Sequence, residues 1–305
     1  MAKTKRYRQK NTFMYIMLAP YLLFLFFFGI VPLIMAFFEI PAKSLTNPNG
    51  GFDAFNIVLH DFRFGTAAKH VAGFMAIFVP LMIIFVIGMA LMLDMNTAKW
   101  KKYLRMAYIV PASVSGAVAV LMWYVILEPT LSPFKWIINL FGVKEATQIW
   151  QTQNLVYILA FMAFFAMAGN WILIQYGSLQ SISTEILEAA RVDGCSAFQL
   201  AVRIKLPLIR KYVIYMGVLV FAGGLQIFVE PQLLTTSVYQ GIANAWSFDQ
   251  LSYTLAFTSG DFGGASALSI MLLIPSLLGA LVVIYKTDMF EDAKRVRGQK
   301  IEAEG

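Results

Sequence analysis

The residues of this chain whose types and spacing could support specific chemistry lie in one polar stretch, Leu187–Lys211. It begins with a helix-forming acidic turn at Glu188, breaks at Gly194, restarts with apolar residues at helical spacing and is expected to stop at Pro207. The sequence therefore predicts a helix, a tight turn and a second helix with charges on the outer face. Carboxylates and apolar side chains on such a unit suit contacts with a partner protein or a membrane surface.

Patterns for catalysis or metal binding are not found in the sequence. It contains no G-x-x-x-x-G-K-[ST] phosphate loop, so this chain does not hydrolyse nucleotide by that route. The two histidines, His60 and His70, have no spaced set of Cys, His or carboxylate ligands and are expected to be solvated loop residues. No Ser, His and acid constellation can be proposed, and the single cysteine, Cys195, excludes an intrachain disulfide. We expect no catalytic residue and no metal site.

A second group of polar and aromatic residues lies within or beside long apolar runs. Burying amides or carboxylates in lipid is costly, so these groups should face a bundle interior or a water-filled cavity. The adjacent Gly223 and Gly224, with Pro231 nearby, would loosen a helix where a pathway could form. Each residue also has a structural interpretation, as an interhelical hydrogen-bonding group, a snorkelling acid or an interfacial aromatic anchor. The candidate pathway residues are Ser115, Trp123, Asn170, Trp171, Gly224, Gln226 and Glu230.

Composition places these residues in an integral membrane protein. Hydrophobic residues make up 59% of the 305 residues and charged residues 13%, against roughly half and a quarter in a soluble domain. The mean hydropathy is +0.68. The net charge of +7 could indicate nucleic acid as a partner. The positions of the basic residues explain this charge better through membrane orientation, so no nucleic-acid partner is expected.

Six uncharged runs are each long enough to cross the hydrocarbon core, which requires roughly 20 helical residues. The first run follows a basic tail, residues 1–12, and exceeds the roughly 7 to 15 apolar residues of a secretory signal, so it is expected to be retained. Glu39–His70 is expected to be an extramembrane loop, and Pro133–Phe141 a short interfacial helix. The predicted spans are residues 13–38, 71–93, 106–127, 155–177, 212–229 and 265–285. We predict an all-α, integral membrane helical bundle of six transmembrane helices, forming a single domain over residues 1–305.

The basic residues test this topology independently. With six spans, both termini lie on one side of the membrane, together with the loop that contains Leu187–Lys211. That side carries 19 of the 24 Lys and Arg residues. By the positive-inside rule, both termini and this loop are cytoplasmic.

The polar stretch resembles the EAA motif of permease subunits of binding-protein-dependent ABC importers. The matching residues are Glu188, Ala189, Ala190, Asp193, Gly194, Ile204, Leu206 and Pro207. Two flanking segments, Leu179–Ala190 and Ala256–Ile274, are similar to the maltose-type, carbohydrate-importing branch, as is the third-span region RMAYIVPASVSGAVAVLMWYVILEP. The resemblance extends from about Phe62 onward, and the first span fits more loosely.

The sequence departs from the family pattern at several positions. Cys195 stands where Ala is usual, Ala201 where an aromatic is common, Ser183 where Pro often precedes the motif, and Lys211 where a second Pro is frequent. None of these removes the acid, glycine and Leu-Pro core. Residues 235–237, Thr-Thr-Ser, stand where the family often has a Gly-Gly-Pro turn after the fifth span. This difference puts the shape of that outer loop in doubt.

The resemblance implies that residues 179–211, here called the coupling loop, hold a helix seated in a groove of a cytoplasmic ATPase subunit. The ATPase-coupling residues would be Glu188, Ala189, Ala190, Asp193, Gly194, Phe198, Leu206 and Pro207. Without the resemblance, an amphipathic helix resting on the inner leaflet fits equally well, with Arg203, Lys205, Arg210 and Lys211 near the lipid.

The family further implies four kinds of partner besides membrane lipid: a second permease subunit in a heterodimer, two ATPase subunits that bind ATP and Mg²⁺, and an extracytoplasmic solute-binding protein. No cofactor is expected in this chain itself. The expected function is import of a sugar or oligosaccharide across a bacterial-type cytoplasmic membrane by alternating access. One alternative keeps the machinery and imports a glycerol phosphodiester or another small solute. A remoter alternative is an ion-driven secondary transporter or an intramembrane enzyme, which predicts inverted halves or paired ionisable residues at mid-membrane.

Overall fold

The computed structural model describes residues 15–43, 47–95, 101–114, 116–140, 142, 145–237 and 245–286. These residues form helices joined by turns and short segments, and no strand occurs among them. This confirms the all-α class. The predicted N-terminal tail, residues 1–12, lies outside the described residues.

Five helical segments of the described chain are long and apolar enough to cross a membrane, or up to six if one bent pair counts as a span. The five are α1 (Tyr15–Glu39), α3 (Phe62–Met95), α8 (Thr152–Gln180), the path through α11 (Arg210–Leu225) and α12 (Val229–Ser237), and α14 (Phe262–Lys286). The bent pair is α4 (Lys101–Ala112) with α5 (Gly116–Leu127). The chain is therefore a multi-pass membrane protein.

The remaining helices are short. They are α2 (Asp53–His60), α6 (Lys135–Leu140), α7 (Ala146–Ile149), α9 (Thr184–Val192), the continuous helical segment α10 made of Ala197–Gln199, Leu200–Lys205 and Leu206–Leu208, and α13 (Phe248–Tyr253), which continues as a π-helical turn at Thr254–Thr258. The middle part of α10 is π-helical, as is Phe26–Ile30 within α1. The helix predicted within Pro133–Phe141 is present as α6.

Backbone contacts divide the chain into two compact units. One unit consists of Met1–Asp61 with Ser252–Ile270, and the other of Phe62–Leu251 with Met271–Gly305. The prediction of a single domain over residues 1–305 stays a prediction.

The larger unit has a hydrophobic core centred on α3 and α8. Residues three and four positions apart on α3, which share one helix face, are fully buried: Val71, Phe74, Phe78, Met82 and Val86. They belong to one cluster with buried residues of α8 and with Met216 and Val220 of α11. Because lipid is as apolar as these side chains, close van der Waals packing rather than water exclusion holds such helices together.

The smaller unit contains α1 and the start of α14. In α1 the most apolar 18-residue window has none of its residues buried within the chain. The start of α14 is capped by Asp261, whose Oδ1 accepts the N–H of Gly264 at 2.9 Å. A β-carbon on Gly264 would collide with that carboxylate, so the Gly-rich segment after Asp261 is needed for the cap.

Two span predictions differ from the structure. The run predicted as one span over 106–127 consists of α4 and α5, bent by 96°. Pro111 lacks a backbone N–H near the bend, which weakens the helix there. The stretch Glu39–His70, predicted as a loop, contains α2, and α3 begins at Phe62. Charged residues ended the apolar run in the sequence, but a helix can continue beyond the hydrocarbon layer with polar residues.

Candidate functional site

The first helix of the coupling loop, α9, ends in a hydrogen-bonded turn at Gly194. Gly194 has a φ of +83°, in the region that favours glycine. Its N–H donates to the carbonyl of Arg191 at 3.0 Å, and the N–H of Cys195 donates to the carbonyl of Ala190 at 3.0 Å. This pair of bonds is the Schellman C-cap, which satisfies carbonyls that the helix end would leave unpaired. The break expected at Gly194 is therefore a defined turn.

The second helix of the loop begins with a capping box that the sequence analysis missed. The hydroxyl of Ser196 accepts the N–H of Gln199 at 3.3 Å, and the N–H of Ser196 donates to the Gln199 Oε1 at 2.9 Å. The Ser-x-x-Gln spacing could have identified it. Together, the C-cap and the capping box fix the path of the chain between α9 and α10.

The residues around this turn form an exposed tip. Glu188, Ala189, Asp193 and Gly194 are all exposed, and no neighbouring atom lies within 4 Å of the position that a β-carbon on Gly194 would take. The exposed fraction of Phe198 is 75%. Of the predicted coupling residues near the turn, Ala190 alone is buried, at 6% exposure. It supports the tip from inside, whereas the acids and Phe198 are free to meet a partner.

The other end of the loop, residues 200–209, is here called its root, and one side of it is buried. Leu200, Ala201 and Lys205 are buried within α10. Ile209 forms a cluster with Ala90 of α3 and Leu179 of α8, against which Leu206 packs. Burial of Lys205 contradicts the interpretation in which this lysine lies near lipid headgroups.

The expected stop at Pro207 is wrong in detail. Pro207 is exposed and lies within the continuous helical segment α10, directly after its π-helical part. The helical path breaks instead at Ile209, with φ −93° and ψ 4°, and α11 begins at Arg210. A π-helical turn, Leu200–Lys205, directly precedes Pro207, and the helix continues past the proline. The interpretation of proline as a simple stop signal does not anticipate this.

A second feature is a cavity of about 150 Å³ at the break between α11 and α12. The helix ends at Leu225, the chain crosses residues 226–228 without helical structure, and helix resumes at Val229. Three predicted pathway residues, Gly224, Gln226 and Glu230, line this cavity with Phe74 and Phe78 of α3 and with residues of α8. The weak point predicted from the two glycines and the proline is where the helix breaks. Glu230 is the cavity's one ionisable lining residue among the described residues.

The other predicted pathway residues do not line this cavity. Trp123 lies with Met162 and Phe165 in a different recess, and its ring centroid is 5.4 Å from that of Phe165. Trp171 is buried and makes an edge contact with Tyr215. Asn170 is exposed on α8, and Ser115 lies outside the described residues. The structure thus brings together the α11–α12 residues but not the tryptophans or Asn170.

The histidines have local structural partners. His70 is half-buried in α3, stacks on Trp246 with ring centroids 5.3 Å apart, and its Nδ1 lies 3.3 Å from the Trp246 carbonyl oxygen. The expectation that His70 is a solvated loop residue is therefore wrong. His60 is exposed, with its Nδ1 2.9 Å from the carbonyl oxygen of Asn56. Among the described residues, no group of three or more His, Cys, Asp or Glu side chains could hold a metal ion.

Comparison with known families gives one match that covers most of the chain. Residues 87–296 match the family model described as binding-protein-dependent transport system inner membrane component. The matched range includes the whole coupling loop and the α11–α12 break, whereas Phe74 and Phe78 of the cavity lie before it.

Individual relatives are more distant in sequence. A trehalose/maltose transport system permease protein of Thermococcus litoralis is 24% identical over 275 residues, covering 89% of this chain and 91% of that protein. An arabinooligosaccharides transport system permease protein of Halalkalibacterium halodurans is 21% identical over 282 residues, covering 91% and 88%. A probable ABC transporter permease protein of Bacillus subtilis is 26% identical over 198 residues, and the match spans 66% of its length.

The fold is also found in a solved structure. A chain of a bacterial ABC transporter involved in the import of the acidic polysaccharide alginate superposes with a TM-score of 0.78 at 20% identity. The superposition covers 93% of this chain and 99% of that chain. A second structure of an alginate transporter, in complex with a periplasmic protein that carries an alginate pentasaccharide, superposes equally well.

Proposed function

This chain belongs to the family of binding-protein-dependent transport system inner membrane components, and on that premise we propose that it is the permease subunit of an ATP-driven sugar importer. The family membership makes it a transport component rather than an enzyme. The proposal adds the cargo, the energy source, the partners and the orientation in the membrane.

The observation that carries the proposal is the construction of the coupling loop. Its tip presents acids and an exposed phenylalanine on a turn fixed by a C-cap and a capping box, and its root is buried against α3 and α8. A loop that only connects two spans does not require this rigidity. A loop that another protein moves must be rigid, because it has to transmit the movement. Because the sequence has no phosphate loop, ATP and Mg²⁺ would be bound by two partner ATPase subunits.

The proposed partners follow from the same features. Carboxylates of the tip would contact basic groups on the ATPase, with Phe198 as an apolar anchor. A second, similar permease subunit would complete the membrane pathway, and an extracytoplasmic binding protein would deliver the solute. Both termini and the coupling loop would lie on the cytoplasmic side of a bacterial-type inner membrane, as the basic residues indicate.

A neutral polyhydroxyl solute is the proposed cargo. The curated relatives are named for trehalose, maltose and arabinooligosaccharides. The cavity at the α11–α12 break is lined by the amide of Gln226, the carboxyl group of Glu230 and apolar and aromatic side chains, and no Lys or Arg is among the described residues that line it. A glycerol phosphodiester would need a basic group to offset the phosphate charge, so the cavity favours sugar over that alternative.

The experiment that tests this function is uptake into proteoliposomes that hold the complete complex and enclose ATP. Labelled trehalose, maltose and arabino-oligosaccharides would be compared with a labelled glycerol phosphodiester, each in the presence of the cognate solute-binding protein. We expect ATP-dependent accumulation of a saccharide. Accumulation of the phosphodiester alone would exclude the sugar cargo, and transport by this chain without any ATPase would exclude the importer itself.

A further inference from the structure

Three elements of the larger unit meet at a charged cluster next to the root of the coupling loop, in which the Lys205 and Asp94 side chains are buried and Gln180 is exposed. Asp94 lies in the last turn of α3, Gln180 is the last residue of α8, and Lys205 lies in the π-helical part of α10. Lys205 Nζ forms an ion pair with Asp94 Oδ2. The Gln180 Nε2 donates to the other carboxylate oxygen, Oδ1. The exposed fractions of the Lys205 and Asp94 side chains are 8% and 5%.

A buried ion pair contributes little net stability, because desolvation of the two charges offsets their attraction. Loss of one partner is costly, since the other charge is then buried without compensation. Such a pair therefore enforces a particular arrangement of the elements that carry it. Here it links α10 to a helix 111 positions earlier in the chain.

Further contacts near the ion pair also attach this part of the chain to α3 and α8. Ile209 and Leu206 pack with Ala90 of α3 and Leu179 of α8. Further along α8, the Gln175 Nε2 donates to the backbone carbonyl of Tyr212 at 3.0 Å. The root of the coupling loop is thus fastened to both helices that form the core of the unit. Of these contacts, the ion pair is the one that joins two buried charged side chains.

We propose that the Asp94–Lys205 pair, held by Gln180, is the mechanical link through which movement of the coupling-loop tip is delivered to α3. The inference rests on the proposed function, in which an ATPase moves the tip. Asp94 and Lys205 are positioning residues in this role and touch neither solute nor nucleotide. Apolar contacts alone would let α10 slide along α3, whereas a buried pair with both carboxylate oxygens engaged resists sliding.

The test measures the number of ATP molecules hydrolysed per solute imported by the complete complex in proteoliposomes. Asp94→Asn and Lys205→Met should each raise this ratio by about fivefold or more, the size of an ordinary coupling between sites. Exchange of the charges, Asp94→Lys with Lys205→Asp, should bring the ratio back toward the wild-type value. Lys102→Met is the control, because Lys102 is an exposed base that lies outside the coupling loop. Its ratio should not change.

A double apolar variant, Asp94→Leu with Lys205→Met, separates coupling from stability. Its thermal unfolding midpoint should stay close to that of the wild type, because two charges have been replaced by packed apolar groups. Its ATP-to-solute ratio should nevertheless remain high. A wild-type ratio in this variant, or unchanged ratios in both single variants, would overturn the proposed link and leave the pair a folding element.

A label on Cys195 distinguishes failure of this inference from failure of the proposed function. Cys195 is the one cysteine of the chain and lies at the turn of the coupling loop. A fluorophore there should respond to ATP in the wild-type complex and in Asp94→Asn, because the tip still moves when the link is cut. No response in the wild type would contradict the proposed function itself, and a response lost in Asp94→Asn would contradict the link.

Discussion

The backbone carbonyl oxygen of Tyr108 in α4 occupies the space in which a β-carbon on Gly169 of α8 would lie. The two helices can approach this closely because residue 169 has no side chain. Small residues at such crossings are a general device of membrane helix packing. The obstruction is backbone, so a larger residue cannot be accommodated by a change of rotamer.

Gly169→Ala is therefore expected to destabilise the protein by roughly 1–3 kcal/mol through overpacking. The measurement is the thermal unfolding midpoint of the detergent-solubilised chain, followed by tryptophan fluorescence. Gly177→Ala is the matched control, because Gly177 lies in the same helix and a β-carbon there would have no neighbouring atom within 4 Å. It should be neutral or slightly stabilising. Equal thermal unfolding midpoints for the two variants would show that the backbone of α4 does not obstruct a side chain at residue 169 of α8.

Gly194 permits a test of the turn at the tip of the coupling loop. Replacement by Leu costs about 1–2 kcal/mol in the left-handed region, although space around the residue is open. We expect Gly194→Leu to abolish uptake and ATPase co-purification while membrane insertion is retained. Gly194→Asn should keep most activity, because Asn tolerates a positive φ. Full uptake by the Leu variant would count against docking of the tip.

Phe198 tests the apolar contact with the ATPase. An exposed phenylalanine that becomes buried at an interface should behave as an anchor, so Phe198→Ala is expected to weaken binding by more than about 1 kcal/mol. The quantity to measure is the affinity of the purified ATPase for the permease in nanodiscs. Phe134→Ala is the control, since Phe134 is also exposed and the charge distribution assigns it to the other side of the membrane. An equal effect of both variants would mean that the loss is nonspecific.

Asp249, near the start of α13, predicts a specific pH dependence of stability. Burial raises the pKa of its carboxyl group from 3.8 to about 6. The folded protein therefore binds this proton more tightly than the unfolded chain, and stability falls as the pH rises from about 4 to above 6. In Asp249→Asn, the thermal unfolding midpoint should depend less on pH over this range. At neutral pH it should be higher than that of the wild type. Parallel pH curves for the variant and the wild type would contradict the assignment.

Several structural features were predictable because they depend on local rules. The helical class and the greater part of each span follow from uncharged runs of sufficient length. The turn at Gly194 and the break near Gly223 and Gly224 follow from glycine's freedom and from proline's missing donor. Among the described residues, these features lie where the sequence predicts them.

Other features could not be predicted, because the hydropathy of an apolar run indicates the length of a helix but not the direction of its axis or of its side chains. A run of apolar residues has the same average hydropathy whether the helix is straight or bent, so the sequence did not predict the 96° bend between α4 and α5. The ends of α3 were similarly hidden, since polar residues extend a helix beyond the apolar run. Likewise, no local pattern indicates that Trp171 is buried among helices while Asn170, its neighbour, is exposed.

The coupling loop combines both kinds of information. Its sequence alone determined a helix, a glycine turn and a second helix, and the distribution of basic residues assigned the loop to one side of the membrane. Only the tertiary structure decided which of its charges face a partner and which are buried, because burial depends on helices distant in the chain. In the sequence, Lys205 is one more basic residue expected near lipid, whereas in the structure it is paired with Asp94 of α3.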